Sequence, residues 1–171
     1  TKDVLEWAKG HDEELYALLN RDTDYAQGIF AIDRGGKKPR KDIRKWSDVR
    51  DYVSYFYDEL WQGEYDLPEN LTKEDMIAIL DTYAMAYEPT DKNTWFDGVK
   101  AICEGLGFCP EVKAYKQDPT GWKGHVGDVS NVVRVAITGR KNSPDLWSIM
   151  TLLGKERSLS RLRKMKEFLA K

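Results

Sequence analysis

The segment from Arg134 to Trp147, RVAITGRKNSPDLW, brings a guanidinium, a basic turn and an indole together within fourteen residues. Arg134 interrupts an apolar stretch of helical character, and Trp147 follows the Ser143-Pro144 turn. A guanidinium offers N–H donors in one fixed plane, and an indole offers a broad flat face. Side chains of these types bind flat, polar partners, and by themselves they neither make nor break bonds.

Arrangements typical of catalysis are missing from the sequence. The two histidines, His11 and His125, are far apart, and neither has metal-ligand spacing around it. The sequence has no phosphate-cradling GxxxxGK[ST], no GxGxxG after a strand and no nucleophile elbow. The carboxylates of residues 12–14 and of Asp22 and Asp24 resemble solvated helix starts. The residues therefore indicate a binding protein more than an enzyme.

A formal net charge of −2 conceals two basic islands. Residues 34–50 carry eight basic and two acidic side chains, and residues 111–171 carry 13 and 6. The rest of the chain carries 6 basic and 21 acidic side chains. Basic islands in an acidic body indicate directional attraction to a polyanion, although solvated helix faces would give the same counts. Because tryptophan accompanies both islands, the sequence favours RNA binding.

Length and composition limit the remaining choices. The 171 residues suffice for one domain or two small subdomains, and no apolar run is long enough to span a bilayer. The cysteines at 103 and 109 form no CxxC pair, so reduced, partly buried thiols and a cytoplasmic protein are expected. The chain begins at Thr1 without methionine, which suggests a domain from a longer protein.

The elements that position these residues are predicted to be helices throughout. Residues 3–33 are acidic and amphipathic, with a cap at Asp22 or Thr23. Ser47 is expected to cap a helix in which Val49, Val53, Phe56 and Leu60 share one face. Thr72 is expected to open the next helix, which runs to Pro89 with Met76, Leu80, Tyr83, Ala84 and Tyr87 facing inward.

The second half of the chain predicts four more helices and one long loop. A helix from residue 95 or 96 is closed by Gly105 and Gly107. Residues 107–128, rich in proline and glycine, are expected to form a loop that orders on RNA binding. Helices are then predicted near 129–139, 144–153 and 155–170.

Residues 127–162 closely resemble the C-terminal anticodon-binding region of bacterial glutamyl-tRNA synthetase. The shared elements are RVAITG from Arg134, SPDLW from Ser143, and LGKER from Leu153 followed by Arg161-Leu162. Residues 30–61 are similar to the first helical subdomain of the same region. The resemblance implies an all-α fold of two small helical subdomains, of the class I synthetase anticodon-binding type. We expect the first at 1–66, with a basic connector at 34–46, and the second at 67–171.

The resemblance also implies site residues. In the family, the arginine matching Arg134 lies against the last anticodon base, and the hydroxyl and proline matching Ser143-Pro144 contact the middle base. Leu146 and Trp147 match positions that pack near those bases, and an arginine of the first subdomain accepts the wobble base. Arg44 is the first choice for that role and Arg40 the second. The residues expected at the tRNA backbone are Lys37, Lys38, Lys41, Lys45, Arg140, Lys141, Arg157 and Arg161.

Structural roles compete with these assignments. Arg134 could instead be an arginine at the edge of the core that pairs with Asp128 or Asp145, and Trp147 an ordinary core aromatic residue. Lys155 and Glu156 are expected to cap and pair within the fold. Lysines in the basic connector could merely attract the anticodon stem.

Two classes of function follow from the resemblance. In the first, the chain is the anticodon-binding part of a glutamate–tRNA ligase and a monomer whose partner is the tRNA(Glu) anticodon stem-loop, with no DNA or membrane partner. The family's catalytic Rossmann domain, which uses ATP and Mg, has no counterpart in this sequence. No catalytic residue, metal or cofactor is therefore expected here. In the second class, the chain is a stand-alone helical interaction or RNA-binding module without ligase activity.

Overall fold

The computed structural model describes residues 1–33, 45–46 and 48–171, and these residues form an all-α fold. The helices are α1 (Lys2–His11), α2 (Glu13–Arg21), α3 (Thr23–Ala31), α4 (Asp48–Val53), α5 (Lys73–Ala86), α6 (Lys92–Leu106), α7 (Val112–Gln117), α8 (Val126–Thr138), α9 (Leu146–Leu153) and α10 (Lys155–Ala170). A 3-10 turn covers Ser54–Phe56, and two short strands are β1 (Phe108–Cys109) and β2 (Gly124–His125).

The chain divides into two compact units. Unit 1 comprises Thr1–Gly63 and Pro144–Leu152, and unit 2 comprises Glu64–Ser143 and Leu153–Lys171. The subdomains predicted from the sequence, 1–66 and 67–171, differ from this division chiefly in the segment Pro144–Leu152. That segment lies late in the sequence, but it is part of unit 1.

Aspartate caps separate the first three helices of unit 1. The Asp12 carboxylate accepts from the Leu15 amide at 3.1 Å, and the Asp22 carboxylate accepts from the Tyr25 amide at 3.0 Å. Each cap satisfies an amide that the first helical turn leaves without a partner. The acidic groups at 12 and 22 are thus helix starts, as predicted, and they divide residues 2–31 into three helices.

Arg50 of α4 forms an ion pair with Asp12, the residue that caps α2. Its guanidinium donates to both Asp12 oxygens, at 2.9 and 2.8 Å, and to Glu14 at 3.1 Å. Burial raises the pKa of Asp12, but the hydrogen bond from Arg50 and the Leu15 amide outweigh it, so the pKa lies below its usual value. Asp12 therefore stays ionised as both a cap and an ion-pair partner.

The helix predicted after Ser47 is shorter than its apolar spacing suggests. Val49, Val53, Phe56 and Leu60 are all buried, as expected, but α4 ends at Val53 and the chain is extended at Tyr57, with φ −121°. The sequence between these residues, SYFY, is rich in aromatic side chains of low helix propensity. The cap predicted at Ser47 lies outside the described residues, as does the basic stretch 34–44.

Unit 2 is built around α5, α6, α8 and α10. The Thr72 hydroxyl accepts from the Asp75 amide at 3.1 Å and opens α5, as predicted. Met76, Leu80, Tyr83 and Tyr87 are buried as predicted, while Ala84 is half-buried. On α10, Lys166 and Lys155 form ion pairs with Asp81 (2.6 Å) and Glu88 (2.7 Å), which hold that helix along α5.

The C-terminus of α6 corrects one detail of the sequence analysis. Gly107 is the C-cap, with a left-handed φ of 86°, whereas Gly105 lies within the helix. Only Gly107 has a backbone conformation that requires glycine. The two cysteines near this helix end, at 103 and 109, are both buried free thiols, as expected.

The prediction of a loop over residues 107–128 was wrong. β1 and β2 pair in parallel, with Phe108 opposite Gly124, and α7 connects them. The Lys123 amide donates to the Gly107 carbonyl at 2.8 Å, and its ammonium pairs with Asp75 at 2.7 Å. A side chain on Gly124 would overlap the Asp128 carboxylate, so the close approach requires glycine here.

Candidate nucleic-acid interface

Arg134 lies on α8, where its neighbours Val133 and Val135 are fully buried. Arg134 itself is only half-buried, at the edge of the core of unit 2. Its Nη1 donates to the Ser143 carbonyl oxygen at 3.3 Å and to the Ser143 hydroxyl. The structure therefore brings together two of the predicted base-contacting residues, nine positions apart in sequence.

Hydrogen bonds to backbone groups fix the turn that follows α8. Gly139 ends α8 in the left-handed region, at φ 78°, and its amide donates to the Val135 carbonyl at 2.7 Å. The Thr138 hydroxyl accepts from the Arg140 amide at 3.1 Å, and the Gly139 carbonyl accepts from the Asp66 amide at 2.9 Å. These bonds fix the chain immediately after the helix that carries Arg134.

Asp128, one of the two carboxylates suggested as a structural partner of Arg134, has other hydrogen-bond partners. Asp128 accepts from the His125 amide at 2.9 Å and from the Asn70 side chain at 3.2 Å. Its role is to cap the start of α8, about two turns before Arg134 on the same helix. Ser143, which is 8% exposed, accepts hydrogen bonds from the Arg134 guanidinium.

The remaining residues of the SPDLW motif belong to unit 1. The Asp145 carboxylate accepts from the Ser148 amide at 3.0 Å and from its hydroxyl at 2.7 Å, and so caps α9. The Asp145 amide donates to the Asp33 carboxylate at 2.8 Å. Asp33 was not anticipated from the sequence because it lies 112 residues from its partner.

Exposure divides the predicted base-contacting residues of this motif. Pro144 is buried and Leu146 is 2% exposed, so both contribute to packing, whereas Trp147 is half-buried and retains surface open to solvent. Ser143, Pro144 and Leu146 thus form the covered part of the motif, and Trp147 forms its accessible part.

The predicted backbone-contacting residues also separate by exposure. Lys45 and Lys141 are exposed, and Arg140 and Arg157 are half-buried; Lys141 lies 3.6 Å from Asp66. Arg161 is 3% exposed and donates to the Ile137 carbonyl at 2.6 Å. A guanidinium held inside unit 2 stabilises the end of α8 and is not available to a phosphate, so we leave Arg161 out of the proposed interface.

Five predicted residues lie outside the described part of the chain. They are Lys37, Lys38, Arg40, Lys41 and Arg44. Of the basic connector, Lys45 and Trp46 are described, and both are exposed. The roles of the five residues therefore stay predictions.

An aromatic pocket of about 410 Å³ opens elsewhere in unit 2, between α5 and α6. Tyr83, Tyr87 and Trp95 line it, and the Trp95 indole donates to the Tyr83 hydroxyl at 2.7 Å. Burial raises the pKa of both tyrosines, so their phenols stay neutral. None of the predicted site residues lines this pocket.

The described part of the chain contains neither a metal-binding cluster nor a membrane-spanning helix. No group of three or more histidine, cysteine, aspartate or glutamate side chains in residues 1–33, 45–46 and 48–171 is arranged to hold a metal ion. Within the same residues, none of the helices is long and apolar enough to cross a bilayer.

Comparison with known proteins gives the class of domain. Residues 120–166 match the family described as the anticodon binding domain. This match contains α8, the 138–143 turn, α9 and most of α10, and therefore both Arg134 and Ser143. The class of protein defined by fold and motif together is a helical anticodon-binding region.

Three relatives give a narrower assignment. Glutamate–tRNA ligases of Sorangium cellulosum, Clostridium perfringens and Acetivibrio thermocellus are 44%, 41% and 36% identical to the chain over 92%, 92% and 95% of its length. Over nearly its whole length, the chain is therefore similar to one part of these glutamate–tRNA ligases. It spans less than a third of each of those relatives, at 28%, 30% and 30%.

Proposed function

We propose that this chain binds the anticodon loop of tRNA(Glu) and that Arg134 reads the last anticodon base. The observation that carries the proposal is the pair of contacts from the Arg134 guanidinium to Ser143. These contacts hold a planar donor group at the edge of unit 2, at two positions to which the family resemblance gives anticodon bases. The match of residues 120–166 to the anticodon binding domain supports the same assignment.

The chemistry of the loop suits an oriented arginine. Anticodon bases are unpaired, so they can turn outward and present their pairing edges to side chains. Glutamate anticodons end in cytosine, whose O2 and N3 are adjacent acceptors for an arginine. Guanine presents N–H donors on its pairing edge, which would face the guanidinium donors. Discrimination between C and G at this position therefore follows from the fixed plane of the Arg134 side chain.

The other predicted residues have supporting roles in the proposal. Trp147 offers a half-buried indole on which a neighbouring base can stack. Lys45, Arg140, Lys141 and Arg157 are placed at the surface or partly so, where they can attract phosphates. Arg44 or Arg40 is proposed to accept the wobble base.

We further propose that the chain is part of a longer glutamate–tRNA ligase. In that protein a separate catalytic domain would activate glutamate with ATP and Mg and charge tRNA(Glu) for protein synthesis in the cytoplasm, with one chain binding one tRNA. The three relatives are glutamate–tRNA ligases, which supports this part of the proposal. The second candidate, a stand-alone interaction module, predicts no preference among anticodon loops.

Isothermal titration with anticodon stem-loops tests the proposal. The wild-type chain should bind UUC and CUC loops more tightly than loops ending in G, and the affinity should fall as salt rises. Arg134→Ala should weaken binding of the C-ending loop by about 1–3 kcal/mol, the cost of a lost bidentate contact. Arg134→Lys should recover the charge but little of the discrimination, because an ammonium lacks the planar fork.

Arg163→Ala is the matched control, since Arg163 is an exposed arginine of the same unit and lies outside the predicted site. It should leave the preference for C over G intact. Equal affinity of the wild-type chain for all loops would favour the interaction module. Unchanged discrimination in a folded Arg134→Ala variant would remove Arg134 from base reading.

A further inference from the structure

Three rings form consecutive stacks on unit 1. The centroids of Trp7 and His11 are 5.3 Å apart with an interplanar angle of 4°, and those of Trp7 and Trp46 are 6.3 Å apart at 16°. Trp7 is the shared member of both contacts. Trp46 is 46% exposed, so its ring is supported on Trp7 and still has surface open to solvent.

Hydrogen bonds to the backbone fix the positions of the residues in the stack. Trp7 and His11 are one turn apart on α1, and the His11 Nδ1 lies 2.8 Å from the Trp7 carbonyl. The Trp46 carbonyl accepts from the Val49 amide at 3.1 Å, immediately before α4, and the adjacent Lys45 amide donates to Asp48 at 3.1 Å. The indole of Trp46 is therefore presented in a defined orientation, which lowers the entropic cost of binding a flat ligand.

The charges around the stack favour an anionic partner. Lys45 is exposed and directly precedes Trp46 in the chain. The nearby carboxylates of Asp12 and Glu14 are already neutralised by Arg50, at 2.8 and 3.1 Å. A polyanion that reaches Trp46 therefore meets a cationic side chain next to an aromatic ring.

We propose that Trp46 is a stacking site for an unpaired nucleobase of the RNA that the chain binds. The inference rests on the proposed function and adds to it a second contact, on unit 1, that does not read sequence. Every nucleobase has an aromatic face, so stacking on an indole supports affinity for any base, while Lys45 attracts the flanking phosphate. A protein partner on the same surface would need no nucleobase and is the alternative outcome.

Binding of stem-loops ending in C and in G to the full chain tests this site by fluorescence anisotropy. Trp46→Leu should weaken both loops about tenfold, the range of one lost base stack, and leave the ratio between them unchanged. Trp46→Phe should retain most of the affinity because a ring remains. The matched control is Phe168→Leu, which removes an aromatic residue of similar exposure, 48%, from unit 2 and should change neither affinity.

Photo-crosslinking gives a second readout that needs no variant. The cognate stem-loop substituted in turn with 5-iodouracil at each loop position should crosslink to Trp46 from one position, identified by mass spectrometry of the peptide. Failure of the wild-type chain to bind any loop would overturn the proposed function. Normal binding with no effect of Trp46→Leu, or no crosslink to Trp46, would overturn only the stacking site and favour a protein partner there.

Discussion

Arg134 donates to Ser143 at both the carbonyl and the hydroxyl oxygen, and both contacts use the same guanidinium nitrogen. The carbonyl contact, at 3.3 Å, does not depend on the side chain at 143, but the hydroxyl contact does. The hydroxyl therefore restricts the rotation of the guanidinium plane. Because base discrimination depends on that plane, Ser143 acts on the proposed reading through Arg134.

Replacement of the hydroxyl should loosen this orientation. We expect Ser143→Ala to reduce the preference for C over G by about threefold to tenfold, the net value of one ordinary hydrogen bond. Ser143→Thr retains the hydroxyl and should keep most of the preference. Isothermal titration with the two stem-loops measures both variants. A preference lost equally in the alanine and threonine variants would show that packing at 143, and not its hydroxyl, is what counts.

Arg161 is predicted to stabilise the fold and not to bind RNA. Its guanidinium is 3% exposed and donates to the Ile137 carbonyl in the last turn of α8. Arg161→Met should lower the free energy of unfolding by about 1–3 kcal/mol, because a buried acceptor loses its charged donor. Urea denaturation measures the change, and Arg163→Met, on the exposed side of the same helix, should stay within about 0.5 kcal/mol of wild type.

The salt dependence of RNA binding distinguishes this role from the one predicted by sequence. If Arg161 contacted a phosphate, its replacement would reduce the slope of log K against log salt by about 1. We expect the slope to be unchanged for folded Arg161→Met. A reduced slope with unaltered stability would restore Arg161 to the backbone-contacting set.

Two glycines of unit 2 should respond to alanine in opposite directions. A Cβ on Gly124 would overlap the Asp128 carboxylate that caps α8, so Gly124→Ala should destabilise the fold by about 1–3 kcal/mol. Gly105 lies inside α6 with nothing within 4 Å of an added Cβ. Gly105→Ala should stabilise by about 0.5–1 kcal/mol through helix propensity. Thermal unfolding followed by circular dichroism compares the two, and equal shifts would contradict the assigned contacts.

The Lys123–Asp75 ion pair should give stability that depends on pH. The hydrogen bond from Lys123 is the main reason that the pKa of Asp75 lies below its ordinary value of 3.8. A carboxyl whose pKa is lowered by folding stabilises the fold above the unfolded value, and this contribution is lost as the pH falls through the folded pKa. Because Lys123 is 56% exposed, we expect Lys123→Gln to cost only about 0.5 kcal/mol at pH 6.

The deficit of the same variant should shrink as the pH falls and the Asp75 carboxyl takes up a proton. Urea denaturation at pH 6 and at pH 2.5 measures the difference from wild type at each pH. Lys113→Gln, an exposed lysine of α7, is the control and should match wild type at both. A deficit for Lys123→Gln that is as large at pH 2.5 as at pH 6 would mean that its side chain acts through packing.

Local signals in the sequence predicted much of the fold. Thr72 and Asp22 were recognised as caps because a hydroxyl or carboxylate before an apolar period satisfies free amides, and both perform that role. The burial of Val49, Val53, Phe56 and Leu60 was also predicted, although the helix ends after the second of them. Spacing reports which side chains are buried more reliably than it reports where a helix ends.

Long-range contacts account for what the sequence did not predict. The pairing of Phe108 with Gly124 needs only two residues on each strand, too few to produce an alternating pattern. The assignment of Pro144–Leu152 to unit 1 depends on contacts such as Asp145 with Asp33, which leave no local trace. Arg161 was assigned to the tRNA backbone for the same reason. The sequence of α10 does not show which of its arginines is buried and which is exposed.

The discontinuity of unit 1 has a consequence for how the chain folds during synthesis. A Cβ on Gly28 would lie 2.8 Å from the Leu152 side chain, so α9 packs closely on α3. Translation delivers α3 more than a hundred residues before α9, and domains generally fold as their parts emerge from the ribosome. The N-terminal unit would therefore reach its final packing only after nearly all of unit 2 had been translated, and until then its nascent helices would expose apolar surface to chaperones.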